Sequence, residues 1–163
     1  MVYPERWIRL LHNIPRQILH WVYSRKLHCP KETTCRQNVM PQTQRAVIAC
    51  GVLEWNIEQL IPQLPDIHFV THYLPARLHE NPRRLRKLLQ EKIDELEESH
   101  PDIDAILLGF GVCGRGTLGI QSSRVPLVMP RTQDCIGIFL GSQHRHTREF
   151  QSKPGTRYMT RGW

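Results

Sequence analysis

The sequence predicts an α/β fold: a Rossmann-like, three-layer domain with a mainly parallel sheet of four to five strands. Three observations predict it. From residue 45 onward, short apolar runs alternate with segments of helical periodicity. One of those runs, residues 105–108, is unbroken, as in a strand buried on both faces of a parallel sheet. That run ends in four glycines within eight residues, Gly109, Gly111, Gly114 and Gly116, where the backbone must turn sharply or pass close to something.

The elements follow in order. Residues 1–44 form a basic N-terminal extension and linker, helical or disordered, separate from an α/β domain over residues 45–163. Residues 7–11 and 18–23 have helix-like apolar content with basic residues between them, broken by Pro15. Residues 26–44 are polar, carry Pro30 and Pro41, and read as the linker. A basic amphipathic helix over residues 1–25 suits a partner protein or a membrane surface, and a loosely held terminus is the plainer expectation.

In the domain, residues 46–49 form a strand that ends at Cys50-Gly51. Residues 53–64 are helical, with Leu53, Ile57, Leu60 and Ile61 on one face and Pro62 as the breaker. Residues 67–74 make the second strand. Asn81 is a good N-cap and Pro82 suits the first helical position, so a long helix runs to residue 99. Its buried stripe is Leu85, Leu88, Leu89, Ile93 and Leu96. The glycine-terminated strand comes next, then a short connection and a strand at 126–129. Asp134 caps a helix over 135–140, a second helical segment covers 143–151, and 157–160 make a last, edge strand. Parallel pairing with right-handed crossovers follows from this alternation.

Composition narrows the function classes. With 163 residues, 40% of them apolar and 23% charged, the chain suits a soluble domain with a real core. No apolar stretch approaches the roughly 20 residues of a transmembrane helix. Arg6, Arg9, Pro15 and Arg16 interrupt any secretory signal. Five cysteines, an odd number without framework spacing, point to a reducing, cytoplasmic setting. The net charge of +7 divides into +6 over residues 1–45, −5 over 46–114 and +6 over 115–163. Without a continuous basic stripe or interleaved aromatics, that pattern argues against nucleic acid as a partner.

In a parallel sheet every strand-to-helix loop leaves at the same edge, so Cys50, His79, Cys113 and Cys135 issue from four loops onto one rim. Three thiolates and an imidazole satisfy tetrahedral zinc, or three hold it while a fourth position stays open. An iron–sulfur cluster with one non-cysteine ligand is the alternative metal centre. Against both, free cysteines are small, well-buried hydrophobes and the chain has no CxxC pair. A thiolate nucleophile is a further reading, and it requires a lowered pKa at Cys113. Cys29 and Cys35 sit in the linker and receive no role.

Gly109, Gly111 and Gly114 spell GxGxxG, but the full helix and the acid of a dinucleotide site are missing. Arg83 and Arg84, with Arg86 and Lys87, crowd the start of the long helix while acids crowd its end. This inverts the charge order that the helix dipole favours. A small anionic ligand bound there, with Arg115 and Arg131 joining from neighbouring loops, explains the inversion. A solvated face with a Lys87–Glu91 pair explains it equally. Glu54, just after Cys50, and Asp134 are the candidate catalytic carboxylates, Glu54 as general base or outer-shell partner. His144 and His146 read as surface residues.

Several motifs in order give a resemblance. Cys50-Gly51, Leu74-Pro-Ala-Arg-Leu-His-Glu-Asn-Pro82, Gly109-Phe-Gly-Val-Cys-Gly-Arg-Gly116, Met129-Pro-Arg-Thr-Gln-Asp-Cys-Ile136 and Leu140-Gly-Ser142 resemble the DUF1638 family of uncharacterised proteins. So does the ending Pro154-Gly-Thr-Arg-Tyr-Met-Thr-Arg-Gly-Trp163, and the likeness covers about residues 45–163. It implies no established activity, only an association with corrinoid-dependent methyl transfer, and the cobalamin motif Asp-x-His-x-x-Gly is absent here. The chain departs from the family in having Gln133 where members tend to place His, and in ending at Trp163 where members continue. The sequence therefore points to a metal-binding domain, with zinc as the first candidate, that acts on a small anionic substrate or in methyl transfer. The rival is a non-enzymatic metal-binding or partner-docking module.

Overall fold

A computed structural model describes residues 43–162. The extension expected over residues 1–44, and with it the partner-docking role of residues 1–25, lies outside the described residues except for Thr43 and Gln44. Those two already belong to the first strand, β1 (Thr43–Cys50). The 3-10 turn Gly51–Leu53 leads into α1 (Glu54–Leu60), and the 3-10 turn Ile61–Gln63 closes it. The single helix expected over 53–64 is thus three short pieces. Pro62 cannot continue an α-helical ladder, and only Leu53 of the expected apolar face is buried.

β2 (Ile67–Leu74) follows, then the 3-10 turn Leu78–Glu80 and α2 (Pro82–Ser99). Asn81 caps α2 as expected, its side-chain oxygen accepting the Arg84 amide at 3.1 Å. The remaining elements are β3 (Ile103–Gly109), β4 (Leu127–Val128), α3 (Cys135–Phe139) and α4 (Gln143–Ser152). Asp134 and Ser142 cap the last two, accepting from the Gly137 and Arg145 amides.

The four strands pair in the order β2-β1-β3-β4, all parallel. The sequence's α/β expectation holds, at the lower end of its strand count. Residues 157–160 form no strand. β4 is only two residues long and offers a new edge strand little ladder, and the tail instead runs back to lay Gly162 against Val52.

Registers explain how the core divides. Ala46 pairs with Ile106 and Ile48 with Leu108, and these four point to one face. There they join Leu85, Leu89, Ile93 and Leu96 of α2 in one buried cluster. Val47 and Ala49 point to the other face, where Leu53 packs beside Gly109. Ile48, Leu89, Ile93, Leu96 and Ile106 are fully sealed from solvent, each worth about 1.5–3 kcal/mol of transfer free energy.

One buried group on α2 is not apolar. Glu97 has 9% of its surface exposed, and its carboxylate gathers the loop before β4. It accepts from the Ser122 hydroxyl at 2.6 Å, the Ser123 hydroxyl at 2.8 Å, and the Ser123 and Arg124 amides at 3.0 and 2.8 Å. Burial works to raise its pKa, but these donors overcome burial and hold it at about 2. Because the folded value is depressed, the stabilisation is complete above the ordinary value of 4.5 and disappears as pH falls toward 2. Glu97→Ala should lose roughly 3 kcal/mol at pH 7 by orphaning several donors. In urea unfolding followed against pH, the variant should also show a shallower loss of stability between pH 4.5 and 2 than the parent. Equal slopes would contradict this role.

Candidate functional site

β1 feeds outward to β2, and the chain then returns past β1 to β3, so the winding direction reverses between β1 and β3. In open α/β sheets the carboxyl edge at such a reversal is where ligands bind. Cys50 ends β1 there, and the glycine loop after β3 begins there.

The glycines are needed for close approach. A Cβ on Gly109 would fall 2.5 Å from Ala49 Cβ, so the two central strands could not sit together at this level with any larger residue. A Cβ on Gly111 would fall 2.5 Å from the Asp134 amide nitrogen. That contact lets two backbone hydrogen bonds form beside it, Val112 N–H to Thr132 O at 2.9 Å and Cys113 N–H to Gln133 O at 2.8 Å. The loop carrying Cys113 is thereby latched to the segment carrying Asp134 and Cys135.

Past the latch the backbone turns through three left-handed residues, Cys113, Gly114 and Arg115, with φ of 45°, 60° and 71°. For the two that are not glycine this costs roughly 1–2 kcal/mol each. The turn is held from α2: Arg86 donates to the Arg115 carbonyl at 2.8 Å, and Gly116 sits hard against Leu85.

Three thiols share the electrostatics of this edge. Burial raises the Cys50 pKa, against a Val52 amide that favours the thiolate. Burial also raises Cys113, opposed by the Gly111 amide and reinforced by Cys50 and Asp134. Cys135 is pushed up to about 12, first by burial and then by Cys50, Asp134 and Cys113. Cys50 and Asp134 thus contribute to the raised pKa of both Cys113 and Cys135. A lowered pKa at Cys113, required of a metal-free thiolate nucleophile, is not what this environment produces. Among the described residues, no group of three or more His, Cys, Asp and Glu side chains is already arranged as a metal-ion cage.

The other predicted residues fall as follows. His79 is exposed on the 3-10 turn before α2, its carbonyl 3.8 Å from where a Gly114 Cβ would lie. Glu54 is exposed at the start of α1. Arg83 and Arg84 are exposed on the first turn of α2, where Arg83 borders an open depression with Arg86, Lys87 and Gln90. Arg131 borders a second depression, with Val112, Thr132, Gln133 and Gln143, and exposed Arg115 borders neither. Lys87 and Glu91 do lie 3.8 Å apart, as the solvated-face alternative expects.

Sequence reasoning missed His146. Its side chain is only 12% exposed, with Nδ1 3.6 Å from the Asp134 carboxylate and the ring edge-on to Tyr158 at 6.1 Å between centroids. The available signal was spacing: Gln143, His146 and Glu149 recur every three residues along the less exposed side of α4. The closing tail was also missed, because the contact of Gly162 with Val52 joins residues distant in the chain.

A family model matches residues 73–163, and its description is a protein of unknown function, DUF1638. The chain belongs to the DUF1638 family. None of the curated proteins matches it. The family match contains Cys113, Asp134, Cys135, His146 and the tail, while β1 with Cys50 precedes it. In this DUF1638 domain the raised pKa values should make Cys50, Cys113 and Cys135 slow to alkylate near neutral pH. Peptide-resolved labelling with iodoacetamide at pH 7.5 should modify all three well below the rate of a model peptide thiol. Labelling of Cys113 faster than that peptide would contradict the electrostatic description.

Proposed function

We propose that this DUF1638 domain binds a thiophilic metal ion, zinc before an iron–sulfur cluster, through Cys50, Cys113 and Cys135. The fourth position falls to His79, which flanks the Cys113 loop, or stays open to a small anionic substrate. What supports this reading is the placement of Cys50 at the end of β1 and of Cys113 in the loop after β3, at the carboxyl edge where the strand order reverses, with the Cys113 loop hydrogen-bonded to the segment that leads into Cys135. Sulfur ligands favour zinc among the common divalent ions, and three unpaired thiols suit a reducing cytoplasm. Burial and mutual repulsion keep the thiols protonated without a counter-charge. A divalent cation reverses that balance by taking the place of their protons. Since the sulfurs do not form a ready cage, metal binding would draw the three loops together.

An open zinc position supplies Lewis acidity suited to hydrolysis of a small anion, or to methyl transfer to or from a thiol. In either case Glu54, four residues beyond Cys50, is placed by sequence to serve as general base or outer partner. Elemental analysis of anaerobically purified protein should find about one zinc per chain. Cys113→Ser and Cys135→Ser should each abolish it while the far-ultraviolet circular dichroism stays that of the parent. Folded parent protein that takes up neither zinc nor iron would overturn the proposal.

A further inference from the structure

The chain after β3 is pinned to α2 at two places. Arg86 donates to the Arg115 carbonyl at 2.8 Å. One turn on, Gln90 clamps Gln121, donating to its carbonyl and accepting its amide, each at 2.9 Å. Between those pins the backbone turns through Gly119, with φ of 78° and nothing within 4 Å of where a Cβ would lie. Left between helix and loop is an open depression of about 400 Å³, lined by Arg83, Arg86, Lys87, Gln90, Glu91 and Gly119.

Charge in this depression is unbalanced, with three cations against one acid. Glu91 lies 3.8 Å from Lys87, but both side chains are more than half exposed, and such a pair holds its partners weakly. Arg86 bonds to a neutral carbonyl, and Arg83 pairs with no acid among the described residues. Arg83 therefore faces Arg86 three residues on and Lys87 four residues on, spacings at which like charges repel across a helix surface. The first turn of α2 holds no acid, so its positive end is left unbalanced too. An anion seated among these side chains relieves both conflicts.

We infer that this depression binds the phosphoryl group of a small phosphate-bearing molecule. A phosphoryl dianion presents several oxygens at once, and the planar forks of Arg83 and Arg86 with the Lys87 ammonium supply donors of matching charge. Side chains do the binding here, since Asn81 already accepts the Arg84 amide at the helix start. The volume suits a small molecule rather than a macromolecular surface. Gly119, without a side chain, leaves the loop backbone open to close approach. Glu91 works against the anion and limits its affinity.

The site is independent of the metal reading, because none of Cys50, Cys113 and Cys135 lines it. Its test is calorimetric titration of the full chain with inorganic pyrophosphate, beside Arg83→Gln, Lys87→Gln, Glu91→Gln and Arg148→Gln. All four positions are exposed, and Arg148, on α4, is outside the lining, so each variant should melt with the parent. The parent should bind about one equivalent saturably. Arg83→Gln and Lys87→Gln should each weaken that binding at least about fivefold by removing a charged donor. Glu91→Gln should tighten it, and Arg148→Gln should leave it unchanged. A parent that does not bind pyrophosphate would overturn the site whether or not zinc loads. So would equal weakening in Arg83→Gln and Arg148→Gln, which would report net charge alone.

Discussion

The architecture of this edge depends on backbone passing backbone at two glycines. Gly109 lets β3 close on β1 at the level of Ala49, and Gly111 lets the chain leaving β3 lie directly on the amide of Asp134. A methyl group at either place would need space already occupied, at separations that real side chains do not tolerate. With the contacts made, the Cys113 loop hydrogen-bonds to residues 132 and 133. The Cys113 loop is thereby fixed against the segment that leads into Cys135. That contact is a consequence of packing, not of any local cysteine motif.

The fold treats its buried polar groups in different ways. Glu97 is buried and fully provided with donors, so its charge is kept and stabilises the loop before β4. Cys113 is buried and Cys50 and Cys135 are half-buried, and at Cys50 and Cys113 an amide contact does not offset that burial, so their pKa values are raised. The Thr132, Tyr158 and Thr160 hydroxyls have no hydrogen-bond partner among the described residues. Satisfied groups hold a loop in place.

Much of this was legible in the chain, for identifiable reasons. Helix α2 declared itself through Asn81-Pro82 and the Leu85, Leu89, Ile93, Leu96 stripe, because its cap and its buried face are both local patterns. Parallel pairing followed from alternation, and the rim position of three cysteines followed from parallel pairing. Other features were hidden because they are tertiary. Glu97 looks like one more acid in an acidic helix end until the serine loop closes on it. His146 looks like a surface histidine until α4 turns it toward Asp134. The tail residues suggested a strand by composition, but a two-residue β4 gave them little edge to pair with. The arginines at the start of α2 were placed by its Asn81-Pro82 cap, and Arg86 donates to the Arg115 carbonyl of the glycine loop, a tertiary contact no local pattern announces.

The central claim is that sulfur atoms from three loops can act on one centre. Cobalt(II) titration of the reduced protein tests it most directly, since cobalt substitutes for zinc and its spectrum reports thiolate ligation. The account predicts saturation near one equivalent, with strong thiolate-to-cobalt charge-transfer absorption and tetrahedral visible bands. Both should weaken in Cys50→Ser, Cys113→Ser and Cys135→Ser alike. A parent spectrum without charge-transfer bands, or one unchanged by any of the three substitutions, would contradict it.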